Sequence, residues 1–165
     1  MKLSIKRLFA YWLDFVMLAS VLLLLQWVLY SITSGFPFDY LDTGIEIELW
    51  VLGSMSLPVW LYFIILETYN GQTIGKRLMK LRVTNNLRTK INLKQSISRT
   101  FIKLLPWEIT HIIVLLPTPW WSVEQPSNTF LIYIPNILII IYIIILFINQ
   151  GKKALHDYAS KTQVM

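Results

Sequence analysis

Residues 129–148 run for twenty positions without a single charge. Short apolar runs fit strands or buried core helices, but about twenty apolar residues in a row, wound as an α-helix, match the ~30 Å of hydrocarbon in a bilayer. Inside hydrocarbon a lone segment has to satisfy its backbone N–H and C=O groups by itself, which a helix does and a strand does not. Three earlier runs obey the same constraint. Residues 8–32 are interrupted only by Asp14, Gln26 and small hydroxyls, and 49–66 supply eighteen uncharged residues in a crossing read as 47–66. Pro58, near the middle of the latter, predicts a kink or break. The third run, 96–116, has a short core, 104–116, broken by Glu108, and reaches full length by treating Arg99 and Lys103 as snorkelling side chains.

The basic residues decide how these runs are threaded. All fifteen Lys and Arg fall within 1–7, 67–103 and 149–165, and none within 33–46 or 117–128. Asp39, Asp42, Glu46, Glu48 and Glu124 gather in or beside the two cation-free segments. The expected architecture is therefore an all-α polytopic membrane protein: four transmembrane helices, both termini cytoplasmic, a cytoplasmic loop at 67–95 and a cytoplasmic tail at 149–165. If the third run turned back, Lys152, Lys153 and Lys161 would emerge outside, against the bias of every other segment. The 165 residues read as one membrane domain, since 55% hydrophobic and 15% charged residues exceed what a soluble core needs.

The net charge of +6 is vectorial, so anionic headgroups of the inner leaflet are its expected partner and nucleic acid is not. The absence of cysteine excludes disulfides and thiolate chemistry. The first apolar run is too long for a cleavable signal peptide. Trp107, Trp120, Trp121, Tyr30, Tyr40 and Trp50 lie toward expected interfaces. Within the inner loop, Leu81-Arg82-Val83 and Lys90-Ile91 flank a polar turn and predict a small hairpin. Asn92 is the expected N-cap of a basic amphipathic helix lying in the membrane surface, with Ile97, Phe101, Leu104 and Leu105 opposite Lys94, Arg99 and Lys103.

Ionisable groups inside apolar runs are the functional pointers, because each costs on the order of 2.5–3.5 kcal/mol at a helix centre. Asp14 stands seven residues after Arg7, on the same helix face but about 10 Å along the axis, so each is expected to meet partners from other segments. Asp14 is either a structural pin or an ion or proton site. Glu108 and His111, three residues apart, read as a bonded pair or a proton relay. A dimetal site would need a second Glu-x-x-His, and His156 has no Glu three residues before it, so no metal or cofactor is expected. Gln26, Ser54, Ser56 and Asn136 are expected to make helix–helix hydrogen bonds, and Pro58 and Pro135-Asn136 could break two helices at matching depth. Gly71-Gln72-Thr73-Ile74-Gly75-Lys76-Arg77 lacks the ending of a phosphate loop and reads as a tight turn carrying two headgroup-binding cations. Without a nucleophile elbow or a metalloprotease motif, no enzyme is expected.

Three separated motifs together resemble the RDD family of bacterial membrane proteins. They are Arg7-Leu8-Phe9-Ala10-Tyr11-Trp12-Leu13-Asp14, then Gly71-Gln72-Thr73-Ile74-Gly75-Lys76-Arg77-Leu78 through Leu81-Arg82-Val83, then Leu155-His156-Asp157 with Thr162-Gln163-Val164. One departure is local, Ser160-Lys161 standing where the family commonly has Ala-Gly. The resemblance implies that Arg7, Asp14 and Asp157 are the arginine and aspartates that give the family its name. His156, Lys76 and Arg77 come next, with Gln72, Glu108, His111 and Asn136 as secondary candidates. It further implies a bacterial inner-membrane protein that transports small cations against protons, as some members are described, or protects against membrane-active peptides as others do. The expectation is a homo-oligomer, either a cation/proton transporter with Asp14 titrating or a non-transporting accessory or immunity-type protein whose charged cluster is structural.

Overall fold

A computed structural model describes residues 2–124, 126 and 128–165; Met1, in the first basic stretch, and Gln125 and Ser127, in the second outer turn, lie outside the described residues. The fold is mostly helical. Among the described residues, four helices are long and apolar enough to cross a membrane: Lys2–Ile32, Gly44–Asn70, Leu93–Ser122 and Thr129–Ile148. The first, α1 (Lys2–Ile32), begins six residues before its apolar run and so carries Lys6 and Arg7 within the helix. The second is α2 (Gly44–Val51) and α3 (Leu57–Asn70) joined by a wide turn at Leu52–Ser56, where Leu57 N–H donates to the Leu52 carbonyl five residues back. Pro58 therefore neither breaks nor ends the helix. Its missing N–H is absorbed in the widened stretch, which turns Ser56 inward to a buried position.

A five-residue helix α4 (Ile74–Leu78) and a strand β1 (Val83–Asn85) follow, then α5 (Leu93–Leu115), α6 (Tyr133–Ile148), the short α7 (Leu155–Ser160) and β2 (Thr162–Val164). Asn92 caps α5, its side chain accepting from Gln95 N–H at 2.8 Å while Gln95 Oε1 accepts from Asn92 N–H at 3.1 Å. Pro58 lies in the continuous span from α2 to α3 and Pro135 in the first turn of α6, just after a 3-10 turn at Thr129–Ile132, so the pair of helices expected to break at matching depth does not form.

Two expectations for the inner loop are corrected. Val83 does not pair with the segment at 90–91; β1 pairs antiparallel with the C-terminal β2, Val83 opposite Val164 and Asn85 opposite Thr162. Asn85 does form a local turn, its side chain accepting from Leu87 and Thr89 N–H, but the strand's ladder partner comes from the tail. Second, the amphipathic start of α5 points the other way. Ile97 and Phe101 are exposed whereas Ser96, Arg99, Thr100 and Lys103 are buried, so Arg99 and Lys103 are packed into the protein instead of snorkelling out of it.

The polarity of the whole fold is inverted in the same way. Leu23, Leu24, Leu25 and Trp27 are 58–65% exposed, while Glu67, Asp157 and Arg99 are at most 1% exposed. Such a continuous apolar exterior around a charged interior is stable in lipid and not in water. A small apolar cluster of Ala10, Leu81, Val83, Ile91 and Val164 ties the strand pair to α1, and α4 packs against α1 and α7 against α5.

Candidate functional site

Asp14 is 1% exposed and accepts three hydrogen bonds from neutral donors. Tyr62 Oη donates at 2.6 Å from α3, Thr73 Oγ1 at 2.5 Å from the N-cap of α4, and Gly75 N–H at 2.7 Å from its first turn. The Gly-Gln-Thr turn thus delivers the positive end of α4 to a carboxylate on α1. Gly75 is the residue that permits this approach, because a Cβ there would run into the Ala10 carbonyl oxygen and the Asp14 carboxyl group. Gln72 completes the turn by donating to the Leu81 carbonyl at 2.8 Å.

Arg7 lies in a separate network. One guanidinium nitrogen donates to Asp157 at 2.6 Å and approaches His156 Nε2 at 3.3 Å, and the other donates to the Gly151 carbonyl at 2.9 Å. Asp157 also accepts from Arg99 and, at 2.7 Å, from Ala154 N–H at the start of α7. Arg99 in turn donates to Glu67 at 2.7 Å, and Glu67 accepts further from Lys76 at 2.5 Å and Lys103 at 3.3 Å. Lys103 Nζ also stands 3.3 Å from the centre of the Phe63 ring. Four cations from α1, α4 and α5 thereby enclose two carboxylates from α3 and α7.

Lys76 is thus buried against Glu67 and does not reach for headgroups, whereas Arg77 is exposed as that reading expects. Burial pushes the Lys76 ammonium below its ordinary range, opposed by Glu67. The same burial, with Arg99, Arg7 and Lys103 close by, holds the His156 imidazole well below its usual value and hence neutral. With Nε2 facing Arg7, its proton belongs on Nδ1, which is buried without a hydrogen-bond partner among the described residues.

A second cluster occupies the other half of the bundle. His111 Nδ1 faces Glu48 at 3.0 Å and Nε2 faces Glu108 at 3.2 Å, so the ring bridges α2 and its own helix. Trp60 donates to Glu108 at 2.7 Å, as does Ser56 at 3.2 Å. The two carboxylates meet opposite edges of the ring and do not converge, and among the described residues no group of three or more His, Asp or Glu side chains is arranged to hold a metal ion. Asn136 belongs to neither cluster. It is exposed on α6 and donates to the Ile132 carbonyl one turn back, which corrects its expected place in the interior. Gln26 instead makes a helix–helix bond, accepting from Trp50 Nε1 at 3.0 Å.

Sequence reasoning missed Glu67, Arg99 and Lys103 as site members, along with Tyr62, Thr73 and Glu48. A signal existed for the first three: a carboxylate closing an apolar run directly before the Gly-Gln-Thr turn, and two cations one helical turn apart inside another run.

A family model described as the RDD family matches residues 4–161. The chain belongs to the RDD family. That match takes in the first two motifs, Leu155-His156-Asp157 of the third, and every member of both clusters. No curated protein and no solved structure matches the chain. In this RDD protein Arg7 and Asp157 bond each other, while Asp14 bonds the α4 turn instead.

Beside the cluster of Arg7, Lys76, Arg99 and Lys103 with Glu67 and Asp157 lies a cavity of about 380 Å³ between α1, α5, α6 and α7. Arg7, Lys76, Arg99, Lys103 and His156 form its polar end.

Proposed function

We propose that this RDD protein is a multi-pass protein of the bacterial inner membrane, with both termini cytoplasmic, that works by holding another membrane component against its lateral surface. The inner charge cluster is then a structural lock joining α1, α3, α4, α5 and α7. The observation that supports this reading is the saturation of Asp14: a carboxylate already accepting from two hydroxyls and a backbone N–H offers a passing cation little. Glu67 and Asp157 are similarly occupied by fixed cations. Reconstituted into vesicles, the protein is expected to give no dye-reported cation/proton exchange above empty vesicles across several cations. Asp14→Asn is expected to lower stability by about 2 kcal/mol, since the amide oxygen can still accept from Tyr62 and Gly75 but the amide NH2 replaces the oxygen that accepts from Thr73. Exchange by the wild type that vanishes in a folded Asp14→Asn protein overturns the reading.

Cation/proton transport is kept as a second reading because of the Glu48–His111–Glu108 cluster, whose imidazole lies between two half-buried or buried carboxylates and could pass a proton between them. Under that reading Glu108→Gln abolishes exchange in a protein that still folds with the inner cluster intact.

A further inference from the structure

The cavity beside the inner cluster is chemically divided. All four cations of the cluster line it, and among the described residues neither Glu67 nor Asp157 does. Each cation is paired with Glu67 or Asp157, but four cations against two carboxylates leave the cluster with a net excess of positive charge beside the cavity. His156 lines the same end. The remaining wall is apolar, formed among others by Trp12, Phe15, Trp107, Ile139 and Ile143. These five are also 39–57% exposed on the outer faces of α1, α5 and α6, so the cavity opens sideways toward what would be lipid. Its volume of about 380 Å³ falls toward the low end of ligand pockets, about 300–1,000 Å³.

We propose that this cavity binds one anionic phospholipid, its phosphate against Arg7, Lys76, Arg99 and Lys103 and an acyl chain leaving between α1 and α6. A buried excess of cations favours an anion, and an apolar mouth in the membrane favours one carrying a hydrocarbon tail. Depth agrees, because Arg7 lies in the second turn of α1, where headgroup phosphates sit if the N-terminus is cytoplasmic. The inference rests on the binding reading above and names its ligand class.

The test uses the full chain purified in detergent and titrated with phosphatidylglycerol, phosphatidylcholine or inorganic phosphate. Native mass spectrometry reads stoichiometry, and the melting midpoint reads affinity. Phosphatidylglycerol is expected to bind one per protein, roughly tenfold tighter than phosphatidylcholine, with inorganic phosphate giving little protection. Ile143→Trp and Ile139→Trp narrow the mouth without touching the charge cluster, and each is expected to weaken phosphatidylglycerol binding about tenfold at an unchanged lipid-free midpoint. Lys103→Gln is expected to erase most of the preference for the anionic lipid. Equal binding of the two lipids overturns the site, as does a folded Ile143→Trp or Ile139→Trp protein that binds like wild type, or full protection by inorganic phosphate alone. Vesicle exchange separates the two levels. Exchange with lipid preference intact overturns the binding reading and spares the site, whereas no exchange and no preference overturns the site alone.

Discussion

At the residue scale, burial sets the protonation state of His156. Arg7 from α1, Arg99 and Lys103 from α5, Asp157 on α7 and Tyr142 on α6 surround it, and desolvation together with the three cations keeps the imidazole neutral. In the unfolded chain the same ring takes up a proton near its ordinary value of 6.5. The unfolded state therefore binds more protons below that pH, so stability falls as pH drops through it, by about 1.4 kcal/mol per unit once fully developed. Melting midpoints between pH 7.5 and 5.5 are expected to decline more steeply for wild type than for His156→Gln. Lys161 raises the opposite issue, a residue paying for its conformation. It closes α7 with φ +54°, which a glycine adopts freely and a lysine does not. Its side chain is exposed, so Lys161→Gly is expected to stabilise the protein by up to about 1 kcal/mol in denaturant unfolding.

At the scale of elements, α4 is too short to be stable alone and exists because Asp14 and Thr73 satisfy its first N–H groups while Gly75 lies flat on α1. Gly75→Ala is expected to push α4 off α1, cost about 3 kcal/mol, and release the Tyr62 and Thr73 bonds together. Hydrogen exchange at residues 74–78, faster in the variant than in wild type, checks it. This junction also marks how far the sequence could be read. The long helices were legible because length and hydropathy are local properties, and the Asn92 cap because its partner is three residues away. The expectation for Arg99 and Lys103 failed because sequence reports a charge in an apolar run but not which side the neighbours occupy. The β1–β2 pairing and the Arg99–Asp157 contact join segments far apart in the chain, which no local pattern encodes. Arg7, Asp14 and Asp157 came from motif resemblance, and their actual partners only from geometry.

At the scale of the whole molecule, the two polar clusters sit near opposite ends of the bundle, Arg99 and His111 being twelve residues apart on α5, or about 18 Å. The inner one is rich in cations and the outer one in carboxylates. That asymmetry repeats the distribution of Lys and Arg along the chain, and a membrane protein keeps its cation-rich side in the cytoplasm because translocating those charges is opposed. The chain contains no cysteine, so a single introduced thiol reports its own side without background. Asp42 is exposed in the connection before α2, and Leu87 is 83% exposed at the tip of the turn after β1. Asp42→Cys is expected to react with a membrane-impermeant maleimide on intact cells. Leu87→Cys and a cysteine appended after Met165 are expected to react only after permeabilisation. Labelling of the appended cysteine on intact cells would mean an odd number of crossings and would remove α5 or α6 from the set that spans. Labelling of Leu87→Cys would invert the molecule and put the cation-lined cavity in the outer leaflet.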